Sequence, residues 1–389
     1  MSKFALRAFT APDRSAEAAR AAWDAVVDRF APERLTAGQR AFASDLGVHL
    51  AHVLGLPGLT AGGWLSRVRD SVARLENRLR VDRIIAERPE IEREAIAAPV
   101  VVVGLPRTAT TLTHRVLAGS AAHRGPLLWE YRRTGLELPE AERAAVVAAV
   151  DRQLGATLER APGFERIHRV RADRPDECDW LLPSTPTALC FAPTPAYREW
   201  IGGRDMTDDY RYLKRALQVL QYRRRPRRWV LKSPWHLAHL GLIAEVFAGA
   251  RFVWTHRDPV EAVASFCSLA ESLASAHREA IDPARTGAFW SGVLADTFAA
   301  GRAQRERLPE SACFDLEYRS LVEEPEARFR ELCEWIGTPW TAADAARLRG
   351  SMTRRETRAP HRYRLDRYGL TGEDVERAFA VRSGSEGVR

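Results

Sequence analysis

The sequence predicts an α/β fold in which a parallel sheet is flanked by helices, with a helical N-terminal region and a helical insertion. Short, continuous apolar segments of strand type recur along the chain, and segments with apolar residues at helical spacing separate them. Such alternation requires right-handed crossovers between parallel strands. Ligands of these sheets bind at the carboxyl ends of the strands, so we expect the functional residues there.

Residues 1–97 are predicted to form the helical N-terminal region. Apolar residues recur at three- and four-residue spacing in AEAARAAWDAVVDRF, in AGQRAFASDLGVHLAHVLG and across residues 65–89. After Pro99 the pattern changes to VVVVG, a continuous β-branched segment typical of a strand buried on both faces. We therefore assign residues 98–389 to the α/β domain.

Three further segments are predicted strands: RRWVLKSP, ARFVWTHRDP and ACFDLEY. Helical patterns such as LTHRVLAGSA, LAHLGLIAEVFAG and VEAVASFCSLAESLASAHREA lie between them. The interval from about 135 to 226 does not follow this rhythm, since it combines helical stretches with loops such as RADRPDE and LPSTPTA. It is predicted to be an insertion beside the ligand site.

The composition is that of a globular protein. No apolar stretch approaches the roughly 20 residues of a membrane span, and the N-terminus lacks the apolar segment of a secretory signal, so a cytoplasmic location is expected. The five cysteines are widely spaced and contain no CxxC pair, which indicates neither a disulfide framework nor a metal site. We expect them to be reduced and mostly buried.

A net charge of +8 is compatible with a nucleic-acid binder or with an enzyme for anionic ligands. Arginine is abundant along the whole chain, and its densest cluster, at positions 223–228, has no interleaved aromatic residues. This favours a solvated surface over a nucleic-acid site.

The segment VVVVGLPRTATTLTHRVL predicts a P-loop-like phosphate cradle made of a buried strand, a tight turn and a helix. Helix-start N–H groups and the helix dipole attract anions, and Arg107 with the neighbouring threonine hydroxyls adds donors. The segment is not a Walker A loop, which needs a lysine directly before a hydroxyl residue. The alternative is a plain connection whose threonines cap the helix.

The cradle resembles the 5′-phosphosulfate loop of sulfotransferases that use 3′-phosphoadenosine 5′-phosphosulfate (PAPS). The positions that match the family pattern are Pro106, Arg107, Thr108, Thr110 and Thr111. Ala109 stands where the family usually has glycine, at a point where backbone approaches the phosphate.

A second motif supports the resemblance. Arg257 follows a predicted strand, and Ser265 lies eight residues later on a helix that begins near Pro259. The family binds the 3′-phosphate of the nucleotide with an arginine and a serine at this spacing, and an arginine fork with a hydroxyl suits a phosphate. The alternative is that Arg257 pairs with Asp258 and that Ser265 is an ordinary helical residue.

The third motif is LKSPWH. Lys232 matches a family lysine that lies near the bridging oxygen of the donor, and the resemblance places Ser233 beside it. In the cytosolic branch the general-base histidine comes two residues after this lysine, but here that position is Pro234. Another base is therefore required.

Three residues are candidates for that base: Glu130, His236 and His168. Glu130 resembles the glutamate base of several non-cytosolic and bacterial branches, and we expect an apolar cleft beside Trp129 to raise its pKa. His236 is the alternative, and His168 is a candidate for orienting the acceptor.

Two more residues complete the nucleotide site that the resemblance implies. Tyr318 is similar to a tyrosine that contacts the adenine, although a core position is equally compatible with its pattern, and Arg362 matches a terminal segment that closes over the nucleotide.

The resemblance covers about residues 99–370 and is strongest to bacterial members with helical N-terminal extensions. It implies transfer of a sulfuryl group from PAPS to a hydroxyl-bearing acceptor, with no metal and no nucleic-acid partner. A nucleotide-dependent kinase and a non-enzymatic nucleotide- or nucleic-acid-binding protein are the alternatives. The acceptor stays open among small molecules, lipids and carbohydrates, and a homo-oligomer is compatible with the sequence.

Overall fold

The computed structural model describes residues 15–161, 164–167, 169–356 and 363–382. Its centre is a sheet of five strands, which are, in chain order, β1 (Val100–Val103), β2 (His123–Arg124), β3 (Arg228–Lys232), β4 (Arg251–His256) and β5 (Cys313–Glu317). The strands lie in the order β2-β3-β1-β4-β5, and every pairing is parallel. The predicted α/β class with a parallel sheet is confirmed.

Four of the five strands were predicted from the sequence, and β2 was not. This strand has two residues, which is too short to show periodicity, and it pairs only with the beginning of β3. It belongs to the sheet because the tertiary structure brings this segment, which follows the helix after β1, beside the edge of β3.

Most of the remaining described chain is helical. The N-terminal helices are α1 (Ala16–Val27), α2 (Ala37–Leu54) and α3 (Ala61–Glu87). Those between β1 and β3 are α4 (Thr110–Ala118), α5 (Leu128–Arg132), α6 (Glu140–Leu158), α7 (Phe164–Ile167), α8 (Pro195–Gly202) and α9 (Thr207–Gln221). Those after β3 are α10 (Leu240–Val246), α11 (Pro259–Ser275), α12 (Pro283–Arg305), α13 (Tyr318–Glu323), α14 (Pro325–Ile336), α15 (Ala342–Glu356) and α16 (Gly372–Arg382).

The two faces of β1 bury different parts of the chain. Val101 and Val103 belong to the same core as Trp23, Leu46 and Leu75, so the N-terminal helices pack on the core that covers this face. The alternate residues of β1 belong to a second core with α4, α14 and α15. Burial on both faces explains the unbroken run of valines, because parallel strands carry apolar side chains in both directions.

The five cysteines are free and buried, as predicted. Among the described residues, no helix has both the length and the apolar character that crossing a membrane would require.

Candidate active site at the carboxyl ends of the strands

The chain leaves β1 through a tight turn at Gly104, where φ is +134°. A Cβ atom at this position would lie 2.4 Å from the carbonyl oxygen of Thr255, so the close approach of β4 requires glycine. Arg107 and Ala109 also have left-handed backbone, with φ of 74° and 75°. Such conformations cost an ordinary residue about 1–2 kcal/mol and often occur at functional sites.

Helix α4 begins without a side-chain cap. Its N-cap residue is Ala109, whose methyl group accepts no hydrogen bond, whereas Asp258 caps α11 by accepting from the Val260 N–H at 2.8 Å. The hydroxyl of Thr108 does not cap α4 either, because it donates to the carbonyl oxygen of Leu105 at 2.7 Å. The start of α4 therefore presents N–H groups and the positive end of a helix dipole, a combination suited to an anion.

The loop after β1 meets the residues predicted to bind the 3′-phosphate. The Nε of Arg107 donates to the Ser265 hydroxyl at 3.0 Å, and Nη1 of Arg257 donates to the Arg107 carbonyl at 3.1 Å. The Arg257 guanidinium lies 4.2 Å from the centre of the Tyr318 ring. Arg257 pairs with Glu261, one turn into α11, and not with Asp258. We call Arg107, Arg257, Ser265 and Tyr318 the donor cluster.

Lys232 ends β3 and is almost completely buried, with 1% of its surface exposed. Its ammonium group donates to the Thr111 hydroxyl at 3.3 Å and forms an ion pair with the carboxylate of Glu177. The side chain of Glu177 is 20% exposed. An acidic residue of the insertion thus lies beside both the buried lysine and the first turn of α4. Lys232 and Glu177 are called the transfer pair below.

Ser233 lies next to the transfer pair and donates to Asp179 Oδ1 at 2.5 Å. The other carboxylate oxygen of Asp179 accepts from the hydroxyls of Thr185 and Thr187. Burial, reinforced by the negative charge of Glu177, raises the pKa of Asp179 to about 6 even though these three hydrogen bonds act to lower it. Residues 176–182, which we call the acid loop, are thereby fastened to the end of β3.

His236 is buried two residues beyond Pro234. Its Nδ1 lies 2.9 Å from the Tyr210 hydroxyl, and its Nε2 has no hydrogen-bond partner among the described residues. Burial, with the nearby His239, lowers the pKa of His236 to about 3. The imidazole is therefore neutral and a weak proton acceptor.

Glu130 has a charged environment instead of the apolar cleft expected from the sequence. Its carboxylate contacts the Arg124 guanidinium at 2.5 Å and that of Arg224 at 3.4 Å, and it accepts from the Leu127 N–H at 2.9 Å. Arg124 is paired with Trp229, near the beginning of β3, whereas the transfer pair lies at the other end of this strand. These contacts link Glu130 to the edge of the sheet.

Two other predicted residues, His168 and Arg362, lie outside the described residues. Tyr363, which follows Arg362, is described, and its hydroxyl accepts from Nη2 of Arg107 at 3.3 Å. The sequence reasoning did not assign roles to Glu177 or Asp179. Their signal was an acidic cluster, PDECD, next to apolar residues in the irregular insertion.

Comparison with known proteins gives matches to one family of enzymes. A family model described as the sulfotransferase family matches residues 99–342. A curated relative from Mycobacterium tuberculosis, omega-hydroxy-beta-dihydromenaquinone-9 sulfotransferase Stf3, is 24% identical over 271 residues, and the Mycobacterium bovis protein of the same name matches equally. The match covers 66% of this chain and 66% of the relative, slightly under two thirds of its length.

Two solved structures match most of the chain. Sulfotransferase STF1 from Mycobacterium tuberculosis H37Rv has a TM-score of 0.78 and 26% identity, with 94% of this chain and 98% of that chain covered. Sulfotransferase STF9 from Mycobacterium avium has a TM-score of 0.76 and 26% identity, with 97% and 98% covered. Both matches extend over the N-terminal helices as well as the sheet.

Proposed function

The chain belongs to the sulfotransferase family, and on this premise we propose that it transfers a sulfuryl group from PAPS to a hydroxyl group of an acceptor. The observation that carries the proposal is the position of a buried lysine, Lys232, against the uncapped start of α4. An ammonium group and free N–H groups at one point suit a charged leaving group better than they suit a neutral ligand.

The donor is held by the loop after β1 and by the donor cluster. The 5′-phosphosulfate binds at the start of α4 with Arg107, Thr108, Thr110 and Thr111, and the backbone at Pro106 and Ala109 shapes the turn around it. Arg257 and Ser265 bind the 3′-phosphate, and Tyr318 contacts the adenine. Arg362 is proposed to close over the nucleotide.

In the transfer step, the acceptor oxygen attacks sulfur and forms a new S–O bond. The S–O bond to the 5′-phosphate breaks, and adenosine 3′,5′-bisphosphate leaves with the electron pair. Lys232, with Ser233 and the start of α4, stabilises the charge that develops on the leaving oxygen. The acceptor proton passes to a base of the enzyme.

We assign the base to Glu177, because its carboxylate already contacts the ammonium group of Lys232. When Lys232 turns to the donor oxygen, the carboxylate is released for the acceptor hydroxyl. His236 is the second candidate, although its lowered pKa makes it a weak base. Glu130 is the third, since its carboxylate is engaged by two arginines.

A binding experiment tests the donor. We expect adenosine 3′,5′-bisphosphate to bind at least about tenfold more tightly than ATP or a single-stranded oligonucleotide in calorimetry, because two basic sites bind its two phosphates. Tighter binding of ATP favours a kinase, and tighter binding of the oligonucleotide favours a nucleic-acid protein.

A transfer experiment tests the reaction. Radiolabelled PAPS is incubated with the wild-type chain and a panel of hydroxyl compounds: 4-nitrophenol, cholesterol, glucose and 1-decanol. We expect the radiolabel in at least one sulfated product, together with an equal amount of adenosine 3′,5′-bisphosphate. The name of the Stf3 relatives, which includes an omega-hydroxy compound, supports a hydroxyl as the accepting group.

A further inference from the structure

The N-terminal helix α3 is fastened directly to the acid loop. Nη1 of Arg74 donates to the main-chain carbonyl of Asp179 at 2.6 Å and also contacts the carbonyl of Leu182. These carbonyls lie two and five residues after Glu177. A side chain from the N-terminal region thus holds the backbone that carries one member of the transfer pair.

Arg74 is itself held by a charge network at the same place. Its Nε pairs with Asp70 Oδ2 at 2.8 Å, and the other oxygen of Asp70 pairs with Arg132. Although burial alone would raise it, the pKa of Asp70 is held well below its ordinary value by the guanidinium groups of Arg74 and Arg132. Asp70 therefore stays ionised and fixes the direction of the Arg74 fork.

The same network reaches the other end of the acid loop. The Arg132 guanidinium lies 5.7 Å from the centre of the Trp180 ring, and the Trp180 indole N–H donates to Asp176 Oδ1 at 2.9 Å. The residues on both sides of Glu177 are consequently fixed, one through Trp180 and the other through Arg74. All three ionic side chains of the network are between 12% and 15% exposed, so solvent screens them little.

Arg78, one turn later on α3, provides a contrast. It forms a somewhat more buried pair with Asp82 at 3.0 Å, and its guanidinium lies 4.4 Å from the centre of the Tyr212 ring. Its described contacts are with α3 itself and with other helices, and not with the acid loop. Stability alone therefore accounts for the Arg78 pair, whereas Arg74 also donates through Nη1 to carbonyls two and five residues after Glu177.

We propose that Arg74 is a positioning residue through which the N-terminal helices hold the carboxylate of Glu177 in place for proton transfer. The inference rests on the proposed function, and it gives the N-terminal region a part in the reaction. Holding is needed because the carboxylate loses its ion pair with Lys232 when the ammonium group turns to the donor. Without Arg74, the loop keeps its fastening to Ser233 but loses the one to α3.

The test compares Arg74→Met with Arg78→Met in the full chain, with Arg74→Lys as the conservative variant. With PAPS and the panel compound that the wild type sulfates fastest, we expect kcat of Arg74→Met to fall about 10–100-fold, since small misplacements of reacting groups have effects of this size. The affinity for adenosine 3′,5′-bisphosphate should stay within about twofold in all variants. Arg74→Lys should recover part of kcat, and Arg78→Met should keep it within about twofold when assayed below its unfolding temperature.

Hydrogen exchange of the acid loop gives an independent readout. We expect faster exchange at residues 177–182 in Arg74→Met than in wild type or Arg78→Met. Unchanged exchange there, or equal losses of kcat in the two methionine variants, would overturn the inference. If the wild type binds the bisphosphate tightly but sulfates none of the panel, the proposed function loses its support and the catalytic part of the inference falls with it. Faster exchange in Arg74→Met would then show that the fastening exists without that role.

Discussion

The donor cluster and the transfer pair occupy the same edge of the sheet but are assembled differently. Arg107 follows β1 and Ser265 lies on the helix after β4, and these two strands are neighbours paired in register. Lys232 is the last residue of β3, but its partner Glu177 comes from an irregular loop 55 residues earlier. Regular pairing of strands positions the donor cluster, which we call the donor half of the site. The transfer pair with the acid loop, which we call the transfer half, depends on how an insertion and an N-terminal helix pack. The insertion also contacts the donor cluster, since Nη1 of Arg107 donates to the main-chain carbonyl of Ile167 at 3.2 Å.

The largest effect expected is at Glu177. In Glu177→Gln the shape is kept and the basicity is removed, so kcat should fall by about 10²–10⁴-fold while the affinity for adenosine 3′,5′-bisphosphate changes little. Steady-state kinetics with the panel acceptor and calorimetry measure the two halves separately. A large loss of bisphosphate binding in this variant would contradict the separation of donor and transfer halves.

Glu130→Gln and His236→Asn are the matched controls. Glu130→Gln leaves two partly buried arginines without their carboxylate, so we expect lower thermal stability with a smaller loss of kcat than in Glu177→Gln. His236→Asn should also cost less. If either control loses more turnover than Glu177→Gln while it still binds the bisphosphate, the base must be reassigned to that residue.

The variants Arg257→Met and Ser265→Ala test whether the donor half binds the 3′-phosphate. Loss of a charge-assisted hydrogen bond should weaken binding of adenosine 3′,5′-bisphosphate by about 1.5–3 kcal/mol for Arg257 and by about 1 kcal/mol for Ser265. The affinity for AMP, which lacks the 3′-phosphate, should be nearly unchanged. Equal weakening of both nucleotides would show that these residues do not bind the 3′-phosphate.

In the transfer half, the carboxyl group of Asp179 makes the stability of the protein depend on pH. Because burial raises the pKa of Asp179 to about 6 in the folded chain, the native state binds this proton more strongly than the unfolded chain does. The contribution of Asp179 to stability is therefore present at low pH and is lost as the pH rises through about 6. It amounts to about 3 kcal/mol, because the pKa rises from 3.8 to about 6 and each pKa unit corresponds to roughly 1.4 kcal/mol.

Thermal unfolding between pH 4 and pH 7.5 measures this contribution, because the loss takes place between the ordinary pKa of 3.8 and the folded pKa of about 6. Asp179→Asn cannot ionise, so its Tm should fall less over this range than the Tm of the wild type. Parallel curves for the two proteins would mean that Asp179 does not titrate in this window.

The smallest effect is expected at Ala109. In Ala109→Gly the left-handed backbone is relieved of its methyl group, so the free energy of unfolding should rise by about 1 kcal/mol. Ala31→Gly is the control, because Ala31 has φ of 52° outside the site. Chemical denaturation should give similar gains for both variants, while the affinity for the bisphosphate should change only in Ala109→Gly. A change in affinity in both would contradict a local role for Ala109.

Much of the fold was predictable because its signals are local. The continuous valines of β1 and the strand-like segments before Lys232 and Arg257 reflect burial on both faces, which the sequence records directly. The two-residue strand β2 gives no such signal. The environment of Glu130 was not predictable either, since Arg124 precedes the insertion and Arg224 lies near the end of it.

The sequence by itself determined four strands of the parallel sheet and the turn and helix that follow β1, because each of these elements is recorded in one continuous segment. The spacing of Arg257 and Ser265 is likewise local. Because β1 and β4 are neighbouring strands, these two residues lie beside Arg107. Only the tertiary structure placed Glu177 against Lys232 and Arg74 against the acid loop. Those contacts join segments with no periodic relation in sequence, and packing of the N-terminal helices on the insertion decides them.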